Sequence, residues 1–162
     1  MPKPYMKKAE WKFLKSYLNK NQTVLEYGSG NSTMCIAPLV NNLWSIEHNK
    51  EWYNRVKNMI SNLDNVRLFY VPQDLTRSNP TKYEEFKTYV NWINDKDIKF
   101  DIVLIDGRAR QWCAETVMPK LKENHLVFLH DYNLNERPYY QRVQKFYKIV
   151  DRSYSMVAMV KK

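Results

Sequence analysis

The segment VLEYGSGNST, Val24 to Thr33, decides how the rest of the chain is read, because an apolar run ends on a carboxylate and breaks into the first two of only three glycines. Gly28 and Gly30 allow a tight turn and a close approach to a ligand. Ser32 and Thr33 can cap the helix that follows. Strand, glycine turn and helix form the opening unit of a nucleotide-type fold. A dinucleotide fold would place a third glycine where Thr33 stands, and a pyrophosphate at the helix N-terminus. Glu26 also argues against that ligand, since a carboxylate two residues before the first glycine repels a pyrophosphate and attracts a cation.

Outward from this segment, apolar runs of strand length alternate with helical stretches. Residues 23–27, 43–48, 66–71, 100–106 and 125–131 read as strands, several of them nearly continuous in Val, Ile, Leu and Phe. Helices are expected over 7–20, 32–41, 50–62, 81–94, 109–122 and 137–147. The alternation predicts an α/β, Rossmann-like, doubly wound sheet that is mostly parallel. Residues 148–153 and 154–162 are two further strand-like segments with only a turn between them, so a seven-stranded sheet should close with a C-terminal antiparallel hairpin. Within the insertion 75–99, Tyr83, Phe86, Tyr89, Val90 and Ile93 fall at helical spacing and are expected to face the core.

At 162 residues the chain is expected to form one domain, either a whole protein or part of a larger polypeptide. No window approaches the run of about 18 apolar residues that crosses a bilayer, so no membrane partner is expected. The N-terminus MPKPYMKKAEWKF lacks the apolar core of a signal peptide, which points to a cytoplasmic location. Cys35 and Cys113 have no second thiol at zinc or redox spacing and read as reduced interior residues. The net charge of +9 favours anionic substrates. Its lysines are scattered, as on a solvated basic surface, although a nucleic-acid partner stays open.

Ligands of such sheets bind beyond the carboxyl ends of the strands, so the residues just after each strand carry the functional argument. Glu47 follows Gly28 by 19 residues, where these folds put an acid that accepts hydrogen bonds from ribose hydroxyls. With Glu26 it frames an adenosyl ligand whose middle is positive, as in S-adenosylmethionine with its ammonium and sulfonium. Gln73 and Asp74, after the third strand, can reach an adenine amino group. Asp106 leaves the fourth strand, followed by Arg108 and Arg110, which can bind an anionic group. His130 and Asp131 leave the fifth strand beside Asp106. An imidazole suits proton removal near neutral pH, and two neighbouring carboxylates, Asp106 and Asp131, suit Mg2+ or Mn2+.

Together, VLEYGSGNST, SIEHNKEWYNRV, FDIVLIDGRAR, VFLHDY and RPYYQRVQKFYKIV resemble the successive motifs of class I S-adenosylmethionine-dependent methyltransferases over about residues 22–152. More narrowly, the chain is similar to a little-characterised group with a DGRAR-type fourth motif and an HD fifth motif. The resemblance implies that Glu26, Tyr27, Gly28, Ser29 and Gly30, with Ser32 and Thr33, hold the methionyl part, and that Glu47 with His48 holds the ribose. It implies a reaction rim of Asp106, His130 and Asp131. Acids after the fourth and fifth strands also resemble metal-dependent O-methyltransferases of phenols and sugars, but those often follow the second acid with Asn, where this chain has Tyr132.

Methyl transfer to a hydroxyl needs alignment and proton removal. An amine acceptor in DNA would call for an Asn/Asp-Pro-Pro-aromatic motif, which IDGR is not. The expected activity is therefore O-methylation of a sugar, glycan or small phenol, with His130 or Asp106 as base and Tyr132, Arg137 and Tyr139 lining the acceptor side. An RNA methyltransferase and a non-catalytic nucleotide-binding module are the alternatives.

Overall fold

In the computed structural model, which describes residues 2–75 and 83–162, seven strands form one sheet in the order β3-β2-β1-β4-β5-β7-β6. The strands are β1 (Thr23–Tyr27), β2 (Asn42–Glu47), β3 (Val66–Tyr70), β4 (Phe100–Ile105), β5 (Leu121–Leu129), β6 (Tyr147–Ser153) and β7 (Met156–Lys161). The pairs among β1 to β5 are parallel, while β7 runs antiparallel to both β5 and β6. The sheet and its closing hairpin are those expected from the sequence.

Alternation along the central strands explains why both faces are apolar. Leu25, Tyr27, Val103, Ile105, Val127 and Leu129 point to one core, while Val24, Ile102, Leu104, Phe128 and Ala158 point to the other. Helices α1 (Lys8–Lys15), α2 (Asn31–Ile36), α3 (Lys50–Met59), α4 (Lys87–Asn91) and α5 (Arg110–Thr116) connect or flank the strands. Leu14 of α1 and Ile36 of α2 belong to the second core, and Tyr89 of α4 and Cys113 of α5 to the first. The edge strand β6 exposes Lys148, Val150, Asp151 and Arg152, and such charges discourage pairing with another sheet.

The helices are shorter than the sequence pattern predicts, and prolines account for two of the differences. The helix expected over 32–41 stops at Ile36 and tightens into a 3-10 turn, Ala37–Leu39, around Pro38. That expected over 109–122 stops at Thr116, because Pro119 cannot continue an α-helix. The chain passes through the 3-10 turn Met118–Lys120 and enters β5 at Leu121, four residues early, where Leu121 pairs with Phe100. Residues 138–145 are 3-10 rather than α-helical. The expected helix 81–94 begins outside the described residues and continues as a 3-10 turn, Tyr83–Phe86, and α4. Phe86, Tyr89, Val90 and Ile93 are buried as expected, and Tyr83 packs against them.

Register sets the position of the site. Tyr27 lies opposite Ile46, Ile105 opposite Tyr27, and Leu129 opposite Ile105. The next residues, Gly28, Glu47, Asp106 and His130, therefore leave the sheet along one rim. No helix among the described residues is long and apolar enough to cross a membrane.

Candidate active site

Two glycines meet back to back at the centre of the rim. Gly28 has φ +94°, and a Cβ there would lie 2.7 Å from the backbone N and Cα of Gly107. A side chain would be strained by the dihedral and would strike backbone that cannot move aside. A Cβ on Gly107 would stand 2.2 Å from the Tyr89 hydroxyl. The loops after β1 and β4 thus pass in contact, and a cleft of about 570 Å³ opens beside them.

Gly28, Ser29, Gly30 and Ser32 line the cleft from one side, Glu47 and His48 from another, and Asp106, Arg108 and Arg110 from the end of β4. Glu47 is 3% exposed. Its Oε1 accepts from the backbone N–H of His48 (2.9 Å) and Asn49 (2.8 Å), and its Oε2 from the N–H and hydroxyl of Ser29 at 3.1 and 3.2 Å. These four bonds fill a carboxylate's usual capacity. The Ser29 hydroxyl is the partner that can rotate away, which leaves one place for a ligand hydroxyl.

Glu26 does not line the cleft. It is fully buried and accepts hydroxyl hydrogen bonds from Ser32 (2.5 Å), Thr33 (2.6 Å) and Ser45 (2.6 Å). Burial pushes its pKa up to about 7 against the opposing effect of those hydroxyls, with the charge of Asp106 pushing the same way. Direct contact between Glu26 and a cationic ligand, expected from the sequence, is therefore replaced by a position behind the loop, where it ties α2 to β1 and β2. Thr33 and Tyr27 are likewise buried: Thr33 Oγ1 also accepts from the Gly30 N–H at 2.9 Å, and the Tyr27 ring packs on Tyr89. Gln73 and Asp74 lie outside the cleft as well. The Asp74 carboxylate caps α4 through the N–H and hydroxyl of Thr88 (2.8 and 2.5 Å), and the Gln73 amide donates to the Leu75 carbonyl. With these bonds made locally, neither side chain is aimed at an adenine.

Asp106, His130 and Asp131 do converge. His130 Nδ1 is 2.8 Å from Asp106 Oδ1, and its Nε2 is 3.2 Å from Glu10 Oε2. Glu10, on α1, is 1% exposed, and its Oε1 accepts from the N–H and hydroxyl of Ser155 in the β6–β7 turn. Burial opposes a charged imidazole, but the hydrogen bond and charge of Asp106, followed by Asp131 and Glu10, outweigh it and raise the His130 pKa above its ordinary value. For Glu10 burial also opposes the charge, and the bonds from Ser155, Lys7 and His130 prevail, holding its pKa below the usual carboxylate value. The trio is an imidazole held between two carboxylates. With both ring nitrogens engaged and His130 absent from the cleft lining, the side chain is held between two carboxylates and does not stand open to the cleft as the base expected from the sequence.

Two residues that are not glycine adopt positive φ at this rim, Ala109 (47°) and Asp131 (57°), a conformation that costs about 1–2 kcal/mol each. They bring Arg110 and Asp131 together. Arg110 Nη1 lies 2.7 Å from the His130 carbonyl, 3.1 Å from Asp131 Oδ2 and 3.3 Å from Asp106 Oδ1, and its Nε donates to the Gly107 carbonyl at 3.0 Å. Ligand atoms of Asp106, His130 and Asp131 gather within 4.8 Å, as at a cation site. One oxygen of each carboxylate and both nitrogens of His130 are already engaged, however, and the Arg110 guanidinium sits between Asp106 and Asp131, so this donor set does not fit the Mg2+ or Mn2+ expected there.

On the acceptor side, Tyr132 is 2% exposed, stacks on Tyr140 at 6.4 Å and accepts from Gln144. It packs the core and does not line the acceptor site as expected. Arg137 reaches Asp131 at 3.5 Å, and Tyr139 is exposed. Both border a small cavity of about 30 Å³ shared with Arg108 and Arg110.

Several residues of the site carry no signal in the strand-end pattern. Trp52 lines the cleft, and its indole N–H donates to the Ser29 carbonyl at 2.6 Å. Tyr5 and Arg55 flank it, with the Tyr5 ring 6.5 Å from Trp52 and the guanidinium of Arg55 5.2 Å from it. Glu10 could have been suspected only from its place three residues after Lys7, whose N–H it caps at 2.9 Å. Of the two cysteines, both free, Cys113 is buried as expected, while Cys35 is half-buried.

No protein-family model matches the sequence, and no curated protein does. The fold is shared with solved structures. A methyltransferase-like protein from Silicibacter pomeroyi superposes with a TM-score of 0.79 at 22% identity, covering 98% of this chain and 87% of the other. An rRNA methylase from Streptococcus thermophilus gives 0.67 at 12% identity, covering 98% and 99%. A protein from Streptococcus mutans, solved in complex with SAH, gives 0.64 at 10% identity, covering 96% and 99%. The architecture is therefore that of the Rossmann-like methyltransferases.

Proposed function

We propose that this chain is an S-adenosylmethionine-dependent methyltransferase that acts on a hydroxyl group. The observation that carries the reading is the cleft at the ends of β1, β2 and β4, framed by the Gly28–Gly30 loop and by Glu47, in a sheet with the methyltransferase strand order. S-adenosylmethionine, when bound, supplies a methyl carbon activated by sulfonium. Ser29, Gly28 and Gly30 would hold its methionyl part, and Glu47 its ribose, the incoming hydroxyl taking the place of Ser29 Oγ. Trp52 and Tyr5 would close the cleft over the cofactor.

The proton of the acceptor is assigned to Asp106. Its Oδ1 is held by His130 and Arg110, while its Oδ2 has no hydrogen bond among the described residues and the residue lines the cleft. His130 positions this carboxylate. The acceptor side offers arginines and an exposed tyrosine in place of an apolar wall, which favours a sugar or glycan hydroxyl over a small phenol. The net charge of +9 supports RNA as the second acceptor class.

Calorimetric titration with S-adenosylmethionine and with NAD tests the cofactor, and binding of NAD alone would overturn the reading. Transfer of a labelled methyl group to glycans and to RNA distinguishes the acceptors. Asp106→Asn should bind the cofactor yet abolish transfer; full turnover by that variant would remove Asp106 as the base.

A further inference from the structure

We infer that Arg110 is the built-in cation of the β4–β5 rim, doing for Asp106 and Asp131 what a divalent metal would otherwise do. The inference rests on the proposed reading in that it makes methyl transfer at this rim metal-independent, while its geometry stands without that reading. The guanidinium spans both carboxylates, at 3.3 Å from Asp106 Oδ1 and 3.1 Å from Asp131 Oδ2. It is anchored from behind by two backbone carbonyls, those of Gly107 and His130. Its side chain is 11% exposed, so it is a fixture of the rim and not a surface arginine that happens to swing inward.

Much of the remaining donor set is committed too, with Asp106 Oδ2 and Asp131 Oδ1 the two carboxylate oxygens of the pair that lack a hydrogen bond among the described residues. Asp106 Oδ1 is shared with His130 Nδ1, Asp131 Oδ2 with Arg137 at 3.5 Å, and His130 Nε2 with Glu10. Three carboxylates, Glu10, Asp106 and Asp131, thus face His130 and two guanidinium groups, those of Arg110 and Arg137. A dication entering this cluster would have to displace N–H donors and sit beside a guanidinium that cannot lose its proton. The backbone supports the same assignment: Ala109, the residue before Arg110, and Asp131 both take the left-handed conformation that brings this pair together.

Arg110 is therefore a positioning residue. It holds both carboxylates in place, and its removal should convert the rim into a vacant cation site. The test is titration of Mn2+ into the full chain, followed by electron paramagnetic resonance of the free ion. The wild type should show no saturable site. Arg110→Met should gain one, tighter by roughly tenfold or more than any background binding, as oxygen ligands are freed. The double variant Arg110→Met/Asp131→Asn should lose it, and Arg110→Lys, which keeps the charge, should stay silent. Saturable binding to the wild type that Asp131→Asn abolishes would overturn the inference, as would a folded Arg110→Met that gains no site. The wild-type measurement decides even if Arg110→Met does not fold. S-adenosylmethionine titrated into the same proteins reports separately on the proposed function.

Discussion

The contact between Gly107 and Tyr89 offers the sharpest test of how the two rim loops are held. A methyl group on Gly107 would sit 2.2 Å from the Tyr89 hydroxyl and 3.0 Å from the Gly28 nitrogen. Overpacking of this kind costs about 1–3 kcal/mol, and the close backbone puts Gly107→Ala at the upper end of that range. The Tyr89 hydroxyl is buried and has no hydrogen-bond partner among the described residues. Tyr89→Phe alone should thus be neutral or stabilise by up to about 1 kcal/mol, since an unsatisfied buried hydroxyl is removed. It also withdraws the atom nearest the new methyl, so the double variant should recover at least about 1 kcal/mol relative to the sum of the single changes. Urea unfolding of the four proteins gives the cycle directly. A coupling within about 0.5 kcal/mol of zero, the usual additivity error, would refute the contact as the cause.

Glu26 should make stability pH-dependent. Its folded pKa of about 7 lies above its usual 4.5, so the stability present below the unfolded pKa is lost as pH rises through the folded value. The loss is on the order of 3 kcal/mol between about pH 4.5 and 7, and Glu26→Gln should flatten that limb in pH-resolved urea unfolding; an unchanged limb would remove Glu26 as its source. Glu10→Gln should lower the His130 pKa in a proton NMR titration, and Glu10→Ala should destabilise the fold by about 3 kcal/mol because it leaves buried charge uncompensated. An unmoved imidazole titration would separate Glu10 from the rim. Trp52→Phe keeps an aromatic ring but loses the bond to the Ser29 carbonyl, and should weaken S-adenosylmethionine binding roughly five- to tenfold by calorimetry; unchanged affinity would show that the indole does not support the loop.

The sheet is legible in the sequence for a physical reason. Strands buried on both faces need apolar residues at nearly every position, and FDIVLI and HLVFL have them. Parallel register then carries the residues after each strand to one rim, so Gly28, Glu47, Asp106 and His130 could be grouped from position alone. Helix ends were less legible, because a proline such as Pro119 stops a helix whose apolar spacing continues past it. Gln73 and Asp74 stand at the right strand end, but Thr88, on a helix 14 residues away, takes the Asp74 carboxylate. Position after a strand identifies a residue that can reach the cleft, and not the neighbour that holds it elsewhere.

Charges expose the same limit more strongly. Residue types at the rim name an acid, a histidine and another acid, from which a base and a metal site follow naturally. The pairing that decides their chemistry comes from Glu10, 120 residues from His130 in sequence, and from Arg110, whose direction depends on a left-handed alanine that no periodicity announces. Once Asp106 engages Nδ1 and Glu10 engages Nε2, neither ring nitrogen of His130 is open to a substrate proton. Once Arg110 bridges Asp106 and Asp131, a divalent ion would sit beside a guanidinium that cannot lose its proton. Both findings support the proposed assignment of the acceptor's proton to Asp106, which lines the cleft and whose Oδ2 has no hydrogen bond among the described residues. Glu26 undergoes the converse change: it remains an acid beside the glycine loop, but three hydroxyls enclose it, so any attraction it exerts on a bound cation acts through the loop. Because burial raises its pKa to about 7, such a cation would favour its ionised form and release a proton on binding, which would link cofactor affinity to pH through a residue that does not line the cleft.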